Sequence, residues 1–203
     1  MSWYRTTIAP RLIDRLMGAP LFAKGRQIIC AELSGTVVEI GFGSGRNVPF
    51  YPAALSKVYA VEPSSLAREL AQVRIAASSV EVEFVGVVGE SVPLPDACAD
   101  HALLTFTLCS VQDPTQVLSE IRRLLRPGGR LYLLEHGLAP TSKVQKWQHR
   151  LNHFEEVVAD GCQLIRDPLQ LLEAAGYSLE RVTQRFPGKP TPWTYITMAT
   201  ATP

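Results

Sequence analysis

The sequence has 203 residues, of which 46% are hydrophobic and 19% are charged. That composition is typical of a folded globular protein, and the length predicts one domain, which excludes disordered and collagen-like chains. Twenty Lys and Arg residues against 19 Asp and Glu residues leave a net charge of +1. Because a nearly neutral chain lacks the excess positive charge that nucleic acids attract, we expect no nucleic-acid partner.

The cysteines and the apolar segments bear on metal content and cell compartment. The cysteines are Cys30, Cys98, Cys109 and Cys162. Their wide spacing argues against a zinc ribbon or a disulfide framework, and we interpret Cys109 and Cys162 as small, partly buried residues that fill space. His149 and His153 lie four residues apart without an evident third ligand, so we predict no metal site.

No apolar run approaches the roughly 18 residues of a membrane span, and no signal peptide is evident, which favours a soluble cytoplasmic protein.

Short apolar segments rich in β-branched residues recur along the chain. They cover residues 36–40, 57–61, 81–85, 102–108 and 130–134. Segments that are apolar on both faces are typical of parallel strands covered by helices on both sides. We therefore predict a mainly parallel sheet.

The segments between these strands have helical patterns. The clearest covers residues 114–126, with Asp113 as N-cap and Pro114 at the first helical position. A second helix is predicted over residues 64–77. Five alternations of strand and helix predict a doubly wound α/β sheet.

The two ends of the chain differ from this central part. Residues 1–33 carry apolar side chains at helical spacing with basic residues between them. Residues 142–175 are also predicted to be helical. Residues 179–186 and 194–200 read as two strands of a closing hairpin, which we expect to add an antiparallel strand at the sheet edge.

A glycine cluster follows the first predicted strand. Gly41, Gly43 and Gly45 would allow the backbone to turn tightly and approach a ligand. The pattern is not a dinucleotide fingerprint, because Arg46 stands where the sixth position needs a small residue, and no Walker lysine follows. A nicotinamide-dependent oxidoreductase is therefore disfavoured. Glu39, just before the glycines, would repel a pyrophosphate and attract a cationic ligand.

Four motifs in chain order resemble those of the class I S-adenosylmethionine-dependent methyltransferases. They are VVEIGFGSG, VYAVEPS, GESVPLPDACAD and LLRPGGRLYLLEHG, which lie within about residues 33–137. The resemblance implies an α/β, Rossmann-like fold with a seven-stranded, mostly parallel sheet, an antiparallel terminal strand and helices on both faces. It also implies S-adenosyl-L-methionine as cofactor. We expect one domain over 1–203, with a helical lid at 1–33, a cofactor-binding core at 34–137, and acceptor-side helices and a hairpin at 138–203.

The resemblance also implies roles for individual residues. Glu62 matches the acid that holds the ribose hydroxyls, and Glu90 with Ser91 matches the polar pair at the adenine edge. The full implied cofactor set is Glu39, Gly41, Phe42, Gly43, Gly45, Asn47, Glu62, Pro63, Gly89, Glu90, Ser91, Phe106, Thr107 and Leu108. Phe42 and Pro63 depart from the family pattern, since Phe42 replaces a small residue and Pro63 directly follows the ribose acid.

The second half of the chain bears on the methyl acceptor. The motifs LCSV, EHG and DGC look like those of the alkyl-thiol methyltransferases and their bacterial relatives. A small, apolar thiol is therefore the leading acceptor. A phospholipid amine or a quinone ring carbon is the alternative, and a catalytically silent nucleoside-binding protein acting through a partner is the alternative of another class.

Two residues are catalytic candidates. We predict that His136, just after the fifth strand, assists ionisation of the thiol, although a hydrogen-bonded structural histidine is an equal interpretation. Asp160 is a candidate for acceptor contact or general base. Residues 1–33 are interpreted as a lid, with weak contact to a membrane surface as the alternative. The oligomeric state is left open.

Overall fold

The computed structural model describes residues 3–203. A π-helical turn (Tyr4–Ile8) comes first, and a 3-10 turn (Val48–Phe50) follows the first strand. The helices are α1 (Ala9–Met17), α2 (Pro20–Cys30), α3 (Ser65–Ala76), α4 (Pro114–Leu124), α5 (Ser142–Val158) and α6 (Pro168–Ala174). The strands are β1 (Gly35–Ile40), β2 (Leu55–Val61), β3 (Glu81–Gly86), β4 (Ala99–Thr105), β5 (Leu125–His136), β6 (Ser178–Arg185) and β7 (Ile196–Thr202).

The seven strands form one sheet in the order β3-β2-β1-β4-β5-β7-β6. All pairs from β3 to β5 are parallel, whereas β7 is antiparallel to both of its neighbours. The predicted fold class is thereby confirmed. The expectation that the antiparallel strand lies at the edge is wrong, because β7 is interior and β6 is the edge strand. Nearly every residue of β7 is buried, whereas β6 is mostly exposed, so only β6 suits a position at the edge.

The sheet separates two hydrophobic cores. Successive strand residues point to opposite faces, so Val37 and Val38 belong to different cores, as do Leu133 and Leu134. Helices α4 and α6 pack on one face, and α2 and α3 pack on the other. This arrangement confirms the helices predicted on both faces.

The helix boundaries follow from their caps. The Asp113 carboxylate accepts a hydrogen bond from the backbone N–H of Gln116 at 3.0 Å, which confirms the predicted cap of α4. The helix ends at Leu124 instead of residue 126, because Leu125 is already extended and begins β5. The Ser64 hydroxyl likewise caps α3 through the backbone N–H of Ala67 at 3.2 Å.

Strand β4 is shorter at its carboxyl end than predicted. It ends at Thr105 instead of residue 108, because Phe106 has a left-handed backbone with a φ of 54°. The N–H groups of Thr107 and Leu108 then turn to the Glu135 carboxylate, at 2.6 and 2.7 Å. The chain thus leaves the sheet three residues earlier than predicted.

The amino-terminal segment is helical from Tyr4 onward, as expected for the described part of residues 1–33. None of the helices within residues 3–203 is both long enough and apolar enough to cross a bilayer. The contacts of the π-helical turn, α1 and α2 are described with the site.

Candidate active site

The candidate site lies where the carboxyl ends of four parallel strands meet. The strand order reverses between β1 and β4, and in doubly wound sheets ligands bind beyond the strand ends at such a point. The glycine loop of residues 41–45 follows β1, Glu62 follows β2, Phe106 follows β4, and His136 ends β5. The motifs found along the sequence therefore converge on one crevice.

Different structural requirements account for the three glycines of the loop. A side chain at Gly41 would overlap Thr107, and one at Gly45 would press on Phe42 and Val48 at 3.2–3.3 Å. Gly43 has a φ of 58°, and a Cβ there would meet only the Gly41 carbonyl oxygen, at 4.0 Å. Packing thus accounts for Gly41 and Gly45, whereas Gly43 borders open space in the crevice.

Glu62 joins the glycine loop to helix α3. One carboxylate oxygen accepts a hydrogen bond from the Gly43 N–H at 2.7 Å, and the other accepts one from the Ser64 N–H at 2.8 Å. Burial raises the pKa of Glu62, the two backbone hydrogen bonds oppose this, and the negative charge of Asp160 adds to the increase. Glu62 is therefore fixed between the glycine loop and the start of α3.

Glu39 lies behind the glycine loop and is fully buried. Its two oxygens accept hydrogen bonds from Asn47 Nδ2 at 2.8 Å and from the Tyr51 hydroxyl at 2.5 Å. Arg26 Nη1 in turn donates to Asn47 Oδ1 at 2.6 Å and to the Thr105 hydroxyl at 3.2 Å. Burial raises the pKa of Glu39 to about 7, although its hydrogen bonds lower it. Glu39 and Asn47 therefore support the loop from within.

The predicted residues after β3 lie beside the end of β1 and the start of α4. A Cβ at Gly89 would press on Ile40 Cγ2 at 2.5 Å, so this glycine permits close packing against β1. The Glu90 carboxylate accepts a long hydrogen bond from the Asp113 N–H at 3.4 Å, and Ser91 is exposed.

Three predicted residues differ in accessibility. Phe42 and Leu108 are buried in the two cores, and Phe42 makes an edge contact with Phe84 at 5.4 Å between ring centroids. Pro63 is exposed beside Glu62. Phe42 and Leu108 hence shape the site through packing.

Phe106 is the partly exposed member of the segment after β4. Its backbone N–H donates to the Leu134 carbonyl at 2.8 Å. The ring makes an edge contact with Phe22 at 5.1 Å, and the Arg26 guanidinium lies 5.4 Å from its centroid. Helix α2 therefore holds this ring at the carboxyl end of β4.

Helix α1 is tied to the glycine loop by an ionic cluster around Asp14. The Asp14 carboxylate accepts two hydrogen bonds from Arg46, both at 2.7 Å, and one from the Ser44 hydroxyl at 2.5 Å. Arg74 of α3 completes the cluster at 3.2 Å. The preceding turn reaches α5, where the Tyr4 hydroxyl donates to the carbonyl of Val158 at 2.7 Å.

His136 lies beside two cysteines. Its Nε2 is 2.9 Å from Cys162 Sγ. Atoms of Cys109, His136 and Cys162 that could bind a metal all lie within 4.8 Å of one another. The side chain is buried, and Nδ1 has no hydrogen-bond partner in the described part of the chain.

Comparison with known proteins places this geometry in a family. A family model described as a methyltransferase domain matches residues 38–133. Thiol S-methyltransferase TMT1B of Rattus norvegicus is 36% identical over 166 residues, covering 78% of this chain and 66% of that protein. The ubiquinone/menaquinone biosynthesis C-methyltransferase UbiE of Hahella chejuensis is 35% identical over 86 residues, covering 42% of this chain and 34% of that protein. A solved structure from Thermotoga maritima, described as a SAM-dependent methyltransferase and possible histamine N-methyltransferase, has a TM-score of 0.69 at 23% identity, covering 97% and 98% of the two chains.

The chain belongs to the class I S-adenosylmethionine-dependent methyltransferases. This confirms the resemblance that the motifs indicated. The chain spans 60–66% of the length of the curated thiol methyltransferases that it matches.

The crevice of this methyltransferase fits S-adenosyl-L-methionine. Open space at Gly43 lets the backbone approach a ligand, and Glu62 presents a buried carboxylate that can accept hydrogen bonds from a diol. Glu39 and Asn47 support the glycine loop from behind.

The burial predicted for Cys109 and Cys162 is confirmed. Glu135, whose carboxylate accepts hydrogen bonds from the N–H groups of Thr107 and Leu108, was not singled out from the sequence. Cys109, His136 and Cys162 belong to the LCSV, EHG and DGC motifs, so the motifs were visible but their convergence was not. Their meeting depends on the path of the chain after β4, β5 and α5, which no local pattern specifies.

Proposed function

We propose that the protein transfers a methyl group from S-adenosyl-L-methionine to a small thiol. The observation that carries the proposal is the Glu62 carboxylate bonded at 2.7 Å to the N–H of Gly43, beside space that a side chain would fill. The name of the TMT1B relative, thiol S-methyltransferase, supports the choice of acceptor.

The cofactor supplies a methyl group that is already activated on a positively charged sulfur. The protein's contribution is then to orient donor and acceptor, and good orientation lowers a barrier by several kcal/mol. In this proposal Glu62 accepts hydrogen bonds from the ribose hydroxyls. Glu39, Asn47 and Arg26 hold the glycine loop in place for the amino-acid end.

The acceptor side is formed by the segment after β5 and the loop between α5 and α6. A thiol has an ordinary pKa of about 8.5, so only a few per cent is thiolate at neutral pH. We keep Asp160 as a candidate for acceptor contact, because it lies in the loop between α5 and α6. His136 remains a candidate for assisting ionisation, with its Nε2 already facing Cys162.

The decisive experiment measures transfer of tritiated methyl groups to a panel of alkyl thiols, phospholipids and quinones. We expect incorporation into thiols, reduced strongly by Glu62→Ala and unaffected by Glu69→Ala on the exposed side of α3. Transfer to a quinone alone would favour the alternative suggested by the UbiE similarity. Donor binding without transfer to any acceptor would support the silent nucleoside-binding protein and reject an enzyme.

We further propose that the protein is cytoplasmic and that its amino-terminal helices form a lid. The Asp14 cluster and the Tyr4 hydrogen bond tie this segment to the glycine loop and to the end of α5. The alternative to a lid is contact with a membrane surface. Leu16 on α1 and Phe154 on α5 are exposed apolar residues that could make such a contact. We expect no sedimentation with anionic vesicles, and sedimentation that Leu16→Asp abolishes would favour the membrane alternative.

A further inference from the structure

Three potential metal ligands meet at the carboxyl ends of β4 and β5, from segments far apart in sequence. Cys109 follows β4, His136 ends β5, and Cys162 lies in the loop between α5 and α6. Their ligand atoms lie within 4.8 Å of one another, and their side chains are only 3–9% exposed. Donor binding and methyl transfer, as proposed above, leave the two thiols without a role.

The donor set matches the chemistry of zinc. Zn²⁺ binds thiolate sulfur at about 2.3 Å and imidazole nitrogen at about 2.0–2.1 Å in tetrahedral geometry. These lengths separate neighbouring sulfur and nitrogen ligands by about 3.6 Å. His136 Nε2 and Cys162 Sγ are 2.9 Å apart, so an ion between them requires the two atoms to move apart by about 0.7 Å.

The backbone holds the ligand-bearing segments together. The Gln163 N–H donates to the Cys109 carbonyl at 3.0 Å, which ties the two cysteine segments to each other. Arg166 Nη1 donates to the carbonyls of Leu108 and Val111 at 2.7 and 2.8 Å. A Cβ at Gly161 would lie 3.1 Å from the Ser110 carbonyl oxygen, so glycine permits the close approach. The fold therefore holds the ligand-bearing backbone segments beside one another before any ion binds.

The polar groups around the cluster are incompletely satisfied. Glu135 Oε2 and His136 Nδ1 are buried without a hydrogen bond of good geometry in the described part of the chain. A buried carboxyl oxygen without a hydrogen-bond partner is costly, and a cation bound beside it would offset part of that cost.

We propose that Cys109, His136 and Cys162 bind one Zn²⁺ ion. Two sulfurs and one imidazole nitrogen are a common zinc donor set, and they leave the fourth coordination position for a group from outside the three. In this arrangement His136 is a ligand instead of a base. The ion would also link the loop between α5 and α6 to the ends of β4 and β5.

The test measures metal content of the full chain, kept reduced throughout. After removal of metal with a chelator, remetallation and desalting, we expect one zinc per chain by mass spectrometry of the metal. Cys109→Ser, His136→Ala and Cys162→Ser should each lose most of it. Cys98→Ser, a cysteine outside the cluster, is the matched control and should retain one zinc.

Cobalt titration of the unmutated protein gives a readout that does not depend on the variants folding. Co²⁺ at this site should produce thiolate-to-cobalt charge-transfer absorption and the intense visible bands of tetrahedral cobalt, both displaced by added zinc. Absence of stoichiometric zinc in the reduced wild type, or unchanged zinc content in Cys162→Ser, would overturn the site. Because neither measurement uses a methyl acceptor, failure of the proposed thiol activity and failure of the metal site are distinguishable.

Discussion

Glu62 illustrates how one carboxylate can organise a ligand crevice. It holds the N–H groups of Gly43 and Ser64, so the glycine loop and the start of α3 are set relative to each other. The diol of a ligand can then donate hydrogen bonds to a carboxylate that is already held in position. We expect Glu62→Ala to weaken binding of S-adenosylhomocysteine by about 1.5–3 kcal/mol, the range for hydrogen bonds to a charged group. Calorimetric titration checks this, and unchanged affinity in a folded variant would reject the ribose assignment.

The effect of backbone strain and the effect of ligand contact at Gly43 can be distinguished by comparison with Gly128, which is a matched control. Both have a positive φ, 58° and 83°, and neither has an atom closer than 4 Å to the missing Cβ. Alanine at either position should cost about 1–2 kcal/mol of stability from strain alone. We expect Gly43→Ala to lose at least tenfold in affinity for S-adenosylhomocysteine, whereas Gly128→Ala binds normally. Equal affinities in the two variants would place the ligand elsewhere.

Glu39 predicts a specific pH dependence of stability. Its pKa is about 7 in the folded protein against 4.5 for the free group, so the folded state binds the proton more tightly. Protonated Glu39 therefore contributes fully to the free energy of unfolding below pH 4.5. This contribution, about 3 kcal/mol, is lost as the pH rises through about 7. Glu39→Gln should flatten this part of the profile in urea unfolding measured at several pH values. Glu69→Gln on α3 is the control, and parallel profiles of wild type and Glu39→Gln would contradict the assignment.

The sequence was informative about residues whose role depends on local position. Glu62 and the glycine loop could be located because each directly follows a strand, and parallel strand ends share one edge of the sheet. The Glu39 network and the Cys109 cluster could not be located, since their partners come from α2, the 3-10 turn or the loop after α5. These contacts are fixed by tertiary packing, to which neighbouring sequence contributes no signal.

At the scale of elements, α1 depends on one carboxylate for its attachment. Asp14 binds Arg46, Ser44 and Arg74, and these contacts join α1 to the glycine loop and to α3. Asp14→Ala should increase amide hydrogen exchange over residues 9–17 and weaken donor binding severalfold, because α1 is released from the glycine loop. Asp96→Ala, which removes a partner of Arg123, is the control. Unchanged exchange in α1 would show that the ionic cluster does not hold this helix.

Some boundaries of helices and strands could be predicted from the sequence pattern, and others could not. The caps of α3 and α4 were predictable, because Ser64 and Asp113 satisfy backbone N–H groups within the same turn. The end of β4 was not, because apolar residues continue to Leu108 while Phe106 adopts a left-handed backbone. The competing attraction is the Glu135 carboxylate, 27 or more residues further along the chain, which draws the Thr107 and Leu108 N–H groups out of the ladder.

For the molecule as a whole, the single domain over 1–203 stays a prediction. The two hydrophobic cores lie on opposite faces of one sheet and share its strands, so we expect them to unfold together. Circular dichroism and tryptophan fluorescence should give coincident urea transitions, as for a two-state domain. Two separated transitions would indicate that a part of the chain unfolds by itself.

Placement of β7 between β5 and β6 has a consequence for biosynthesis. The edge of β5 that β7 covers stays without a neighbour until residues 196–202 arrive, 60 residues after His136. During translation this apolar strand would present unpaired amides and carbonyls to other nascent chains, a recognised route to misassembly. Truncations just before Ile196 are accordingly the forms of this chain that should depend most on chaperones.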